Sequence, residues 1–194
     1  MATKRLSVGV IIPDASPLLT LARIDRLDLL DHFAAPITIV DQVQYEATKP
    51  ENDPSGRVAA WLQAKGNTVQ IAPTVVGAGF KAMLERGETP RSRNLGEIAV
   101  EEYALSIARL QSPPFIPLVL FEDPDVLDLA LARVKNVHLL NTTAMIRALA
   151  HDGKLPQARE IVHAINHARK SPLEPFEKPA RTRRLRSVWK DDKK

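Results

Sequence analysis

The side chains whose spacing could do chemistry in this sequence are carboxylates. Asp14 follows the apolar run Ser7-Val8-Gly9-Val10-Ile11-Ile12 and Pro13. Asp123, flanked by Glu122 and Asp125, follows Leu118-Val119-Leu120-Phe121. Glu46 lies three residues after Val43, and Glu97 three before Val100 and seven before Ala104. Each glutamate therefore shares a helix face with apolar neighbours. Taken singly, a helix glutamate is usually a solvated charge and an aspartate before a helix usually a cap. Together they mean more, because converging carboxylates repel one another unless they are protonated or bound to a cation. An oxygen-only donor set favours a hard ion, Mg2+ or Mn2+, over structural zinc. Such ions suit phosphates.

Other chemistries are poorly served. With no cysteine there is no disulfide, thiolate metal site or thiol nucleophile. His32, His138, His151, His163 and His167 read as structural or exposed. His163 and His167 share an i, i+4 face, but the glutamate of a zinc-protease helix is absent between them, and the pair reads as surface. A phosphatase of the dehalogenase type would need a second aspartate two residues after Asp14, where Ser16 stands. Neither a phosphate-binding P-loop nor a Gly-x-Gly-x-x-Gly turn is present.

The elements that must position these acids alternate between β and α. Residues 7–12 form a β-branched run suited to a strand covered on both faces. Ser16 and Pro17 read as N-cap and first helical residue of a helix carrying Leu18, Leu21, Ile24, Leu27 and Leu30. Strands are predicted at Ile37–Val40, Thr68–Ile71, Leu118–Phe121 and Val137–Leu140. Asp41 is placed as the cap of the short helix holding Glu46, and helices are predicted over 56–65, beyond Asn94 and after Pro124. Asn141 or Thr142 caps a helix that Gly153 stops, and a last amphipathic helix runs from about Pro156 to Ala168. The Gly- and Pro-containing stretch 76–93 has no clear period. Strands joined by helical crossovers imply a parallel sheet between helix layers, with the binding crevice at the carboxyl ends of the strands. Asp14 and Asp123 follow such ends.

Composition sets the outer bounds. The 194 residues suit one compact unit, read as residues 1–170, and 44% hydrophobic with 26% charged residues is ordinary for a globular chain. No apolar run approaches the roughly 18 residues of a spanning helix, so no membrane is expected, and the missing cysteines suit a cytoplasmic setting. Of the net +4, the segment from Glu177 to Lys194 carries eight basic residues against three acids, leaving the body at −1. Residues 171–194 thus read as a flexible basic tail able to bind phosphates, with Arg181, Arg183, Arg184 and Arg186 as its nucleic-acid contacts.

Five segments together resemble the PIN domains, nucleases typified by the VapC toxins. Asp14-Ala15-Ser16-Pro17-Leu18-Leu19 is similar to the opening after the first strand, and Val43-Gln44-Tyr45-Glu46-Ala47 to the second acidic motif. Leu95-Gly96-Glu97-Ile98-Ala99 resembles the Gly-Glu helix start, Glu122-Asp123 the strand-end acidic pair, and Leu140-Asn141-Thr142-Thr143 the threonine segment that follows. The resemblance covers about residues 7–165, and is closest to a subgroup with an Asp-x-Ser-Pro-Leu start. Pro124, Glu122 and Asn141 depart from that subgroup's usual residues, and the loops 75–93 and 111–117 fall outside its pattern. The resemblance implies an α/β, three-layer αβα fold with a five-stranded parallel sheet of order 3-2-1-4-5. It also implies an Mg2+- or Mn2+-dependent endoribonuclease whose ligands are Asp14, Glu46, Glu97 and Asp123. Ser16, Glu122, Asp125 and Thr142 would be supporting groups at the same edge. RNA, an antitoxin protein and a second copy in a homodimer are the partners it implies. The other expectation is a catalytically weak PIN-like module that binds RNA or a partner without cutting.

Overall fold

The computed structural model describes residues 7–88, 94–110, 115–122, 131, 134 and 136–168. Its centre is β1 (Ser7–Pro13), whose Ile11 and Ile12 are fully buried. β2 (Ile37–Val40), β3 (Val69–Ala72), β4 (Phe115–Phe121) and β5 (His138–Asn141) join it in one parallel sheet of order β3-β2-β1-β4-β5. This is the order implied by the resemblance. β2 buries all four of its residues, whereas the edge strand β3 exposes Gln70 and Ile71. Between β1 and β4 the register slips at Gly9, since Val8 faces Ile116 and Val10 already faces Pro117. Pro117 lacks the N–H that a central strand needs, and a bulge is the ordinary way to seat it.

The helices are α1 (Ala15–Arg23), α2 (Asp41–Ala47), α3 (Arg57–Lys65), α4 (Val75–Glu85), α5 (Leu95–Leu110), α6 (Thr142–His151) and α7 (Ala158–Ala168). α5 packs on β2 and β4, while α1 packs with α3 and α7. Right-handed crossovers place the outward run from β1 to β3 and the return from β3 to β4 on opposite faces, which makes three layers. Leu18, Leu21, Ile39, Val43, Leu118, Ile146 and Ile165, all fully buried, come from both sides of the sheet. No helix among the described residues is long and apolar enough to cross a membrane.

Three local expectations are corrected. The stripe Leu18 to Leu30 is not one helix: α1 ends at Arg23, Asp25 takes a left-handed φ of 57°, and Leu27–His32 forms a 3-10 helix. Burial of Leu27, Leu29 and Leu30 in the core outweighs the continuation of regular helix. Ser16 is not the N-cap. The Asp14 N–H donates to Leu120 O at 2.9 Å, so pairing with β4 continues to Asp14, and the helix starts immediately after it. The stretch 76–93, without a clear period in sequence, contains α4 through Glu85. The helix expected after Pro124 falls outside the described residues, apart from Leu131 and Val134.

Candidate functional site

At the carboxyl edge of the sheet the strand register aligns the ends of β1, β4 and β5. Pro13 stands beside Leu120, and Phe121 beside Asn141, so Asp14 lies level with Phe121 and Asn141. Asp14 is 3% exposed. Its carboxyl is pushed up to about 7, first by burial and next by the negative charge of Glu97, with Glu46 adding to it. The N–H groups of Ala15 and Ser16 pull the other way. Asp14 thus senses two glutamates from distant stretches of chain.

Glu46 and Glu97 reach this edge through the contact of α2 with α5. Gln42 Nε2 donates to Glu46 Oε1 at 3.0 Å across one helical turn, holding the carboxylate toward α5. A Cβ on Gly96 would stand 2.7 Å from Glu46 Oε2, so only glycine leaves room for the carboxylate there. Glu97, the next residue, begins the exposed-to-buried boundary of α5 and is half-buried, as is Glu46. The Gly-Glu pair thus has a steric reason: position 96 makes space for one acid and position 97 supplies another. Among the described residues no lysine or arginine forms an ion pair with Asp14 or Glu46.

The supporting positions divide. Ser16, half-buried, is in the first turn of α1. Thr142 is 1% exposed, and its hydroxyl has no hydrogen-bond partner among the described residues. Asn141, not Thr142, caps α6, its Oδ1 accepting from Ala144 N–H at 2.7 Å, which leaves the threonine hydroxyl unused by the cap. Glu122 is buried and accepts from Thr20 Oγ1 at 2.7 Å, tying the end of β4 to α1. Asp123 and Asp125 lie outside the described residues, and so do Arg181, Arg183, Arg184 and Arg186. Among the described residues no group of three His, Asp or Glu side chains is gathered closely enough to hold a metal ion. His163 and His167 are exposed, with parallel rings 6.4 Å apart.

Three acids outside the predicted site, Asp41, Glu101 and Glu102, are organised here. Asp41, expected as the cap of α2, is instead its first residue after the N-cap Val40, because its carboxylate is taken up by a neighbouring connection: its Oδ1 accepts from Thr74 Oγ1 at 2.7 Å and its Oδ2 from Thr74 N–H at 3.1 Å. Thr74 caps α4 through Gly77 N–H, and Glu102 accepts from Val75 N–H at 2.8 Å and Val76 N–H at 3.2 Å. The N-terminus of α4 is therefore satisfied by Thr74 and by Glu102 of α5, with Asp41 of α2 fixing the threonine. Thr74 before an apolar run was a readable N-cap; the long-range acids were not. Glu101, one turn after Glu97, has a buried Oε1 without a hydrogen-bond partner among the described residues. Its i+4 spacing from Glu97 was the signal that could have found it.

No curated protein matches the chain. Residues 10–90 match the family model DUF3368, described as a PIN domain. The matched segment contains Asp14, Ser16 and Glu46, and the sheet beyond it continues in the implied order. With that match over residues 10–90, the 3-2-1-4-5 parallel sheet and the acids drawn to its carboxyl edge, the chain is similar to the PIN domains, which are generally nucleases.

Proposed function

We propose that this chain is a metal-dependent endoribonuclease with Asp14, Glu46, Glu97 and Asp123 as its cation-holding acids. The observation that carries the reading is the burial of Asp14 at the carboxyl edge within the field of Glu97 and Glu46, with no lysine or arginine paired to it among the described residues. Charge of one sign collected in a dry crevice is costly unless protons or a cation offset it. An all-oxygen donor set fits Mg2+ or Mn2+. When bound, such an ion supplies a Lewis acid and a water of lowered pKa.

The chain's own residues do the rest. Gly96 gives Glu46 its place, and the Gln42 amide holds that carboxylate in one orientation. The Asp14 backbone is locked to β4, so its side chain leaves the sheet at a fixed point. The Thr142 hydroxyl, spared by the Asn141 cap, is free to donate to a phosphate oxygen or a water at this edge. RNA is the substrate in this reading. Assembly as a homodimer and capture by an antitoxin protein belong to it as proposals, the first checked by light scattering.

Purified chain incubated with Mn2+ and single-stranded RNA is expected to cleave it. Asp14→Asn and Asp123→Asn are expected to reduce the rate by at least a hundredfold, about 2.7 kcal/mol of barrier. Cleavage unchanged in both variants would sink the proposal. The weaker reading, a PIN-like module that binds without cutting, draws on the absence of a ready three-ligand group among the described residues. It predicts binding of RNA with no Mn2+-dependent products.

A further inference from the structure

Beside the acids on α2 stands an aromatic side chain that neither the core nor the carboxylate site uses. Tyr45 is 39% exposed. Phe80 of α4 packs against it with ring centroids 4.9 Å apart and planes at 59°, which fixes the ring's orientation. Lys49, one turn further along the chain just past α2, lays its Nζ 4.4 Å from the ring centroid. Tyr45 and Glu46 are consecutive, so their Cα atoms are about 3.8 Å apart and their side chains leave α2 about a quarter-turn from each other. One faces α4 and solvent, the other Gly96 and Asp14.

A braced, partly exposed ring with a cation at its face suits one kind of occupant. An unpaired base stacks on an aromatic face, and a lysine answers the neighbouring phosphate. The cation–π contact of an exposed lysine is worth only about 0.5–1 kcal/mol, less than the roughly 1–3 kcal/mol of base stacking. A base can therefore displace the Lys49 ammonium from the ring, and the freed side chain gains a phosphate. We infer that Tyr45, buttressed by Phe80, is a stacking platform for the unpaired nucleotide next to the phosphate held at the acidic edge, with Lys49 as that nucleotide's phosphate contact. The substrate class is thereby narrowed to single strands and loops, because a base-paired stack offers the ring no open face. Where the phosphate sits rests on the ribonuclease reading above; the platform itself rests on the rings and the lysine.

The test is fluorescence anisotropy of a short labelled RNA, single-stranded and as a duplex, with the full chain in EDTA. Wild type and Tyr45→Phe are expected to bind the single strand equally and in preference to the duplex. Tyr45→Leu, which retains apolar contact with Phe80, is expected to weaken binding roughly tenfold at an unchanged melting temperature. Lys49→Ala should flatten the dependence of log K on log salt by about 0.7, the share of a single neutralised phosphate on a single strand, and this second variant stands if Tyr45→Leu folds poorly. Single-strand binding by folded Tyr45→Leu at wild-type affinity, or a salt slope untouched by Lys49→Ala, would overturn the assignment. So would a Tyr45→Leu chain that keeps its RNA affinity but changes oligomeric state, which would give the face to a protein contact. Tyr45-dependent binding without Mn2+-dependent cleavage would remove the nuclease reading and leave the platform, while cleavage with equal KM in wild type and Tyr45→Leu would do the reverse.

Discussion

Asp14 is ionisable at a place where water hardly reaches, and that has a thermodynamic consequence. Its carboxyl is raised from 3.8 to about 7, so between those values the folded chain keeps a proton that the unfolded chain has released. Stability then falls as pH rises through that window, and levels off above it. Asp14→Asn removes this slope: relative to wild type it should gain nothing below pH 3.8 and up to a few kcal/mol above about 7, in EDTA. Melting curves across pH check the sign. Added Mn2+ should recover the wild type at high pH and leave Asp14→Asn unmoved. Thr142 gives a second prediction at this scale. A buried hydroxyl without a partner costs about 1–3 kcal/mol, so Thr142→Val should leave the metal-free melting temperature unchanged or raise it while slowing cleavage. A clear drop in melting temperature would mean the hydroxyl is hydrogen-bonded in the folded chain.

Helix contacts decide where the acids point. Gly96→Ala adds a methyl that would lie 2.7 Å from Glu46 Oε2. The carboxylate is the end of a side chain and can move, and alanine in a helix is favoured over glycine by about 1 kcal/mol. The expected outcome is therefore a chain that melts within a few degrees of wild type yet cleaves at least tenfold more slowly, because Glu46 is displaced from Asp14. Wild-type cleavage in Gly96→Ala would show that Glu46 is not held at the site by this contact. Gly77→Ala differs in kind. Its methyl would run into the Asp41 carboxylate, which is engaged on both oxygens by Thr74. That substitution should cost roughly 1–2 kcal/mol, the usual penalty for a broken helix cap, measured by urea unfolding.

For the whole molecule the relevant quantity is the charge distribution. The body is close to neutral and the segment from Glu177 to Lys194 carries an excess of five positive charges. Truncation after Phe176 should weaken RNA binding and flatten its salt dependence by about 0.7 for every phosphate that the tail neutralises in the full chain. The stabilisation by Mn2+ should stay the same, since the acids are elsewhere. Equal salt slopes for the two chains would remove the tail from the RNA interface.

By itself the sequence determined the alternation of strands and helices and, through PIN resemblance, the sheet order. Short β-branched runs and helical stripes are local signals; Glu46 and Glu97 stood out as acids among apolar helix neighbours, and Asp14 as an acid just after a strand end. Asn141 as a cap and Gly153 as a stop were local too. What only the tertiary structure decided were events between distant segments. Burial broke the Leu18 to Leu30 stripe into a helix and a 3-10 turn, because core packing outweighs helical continuity. Asp41 reaches Thr74, Glu122 is tied to Thr20, and Gly96 makes room for Glu46, all across separations that no periodicity encodes. The physical reason is that a carboxylate's charge state and direction are set by the neighbours the fold brings to it, and those neighbours lie far away along the chain.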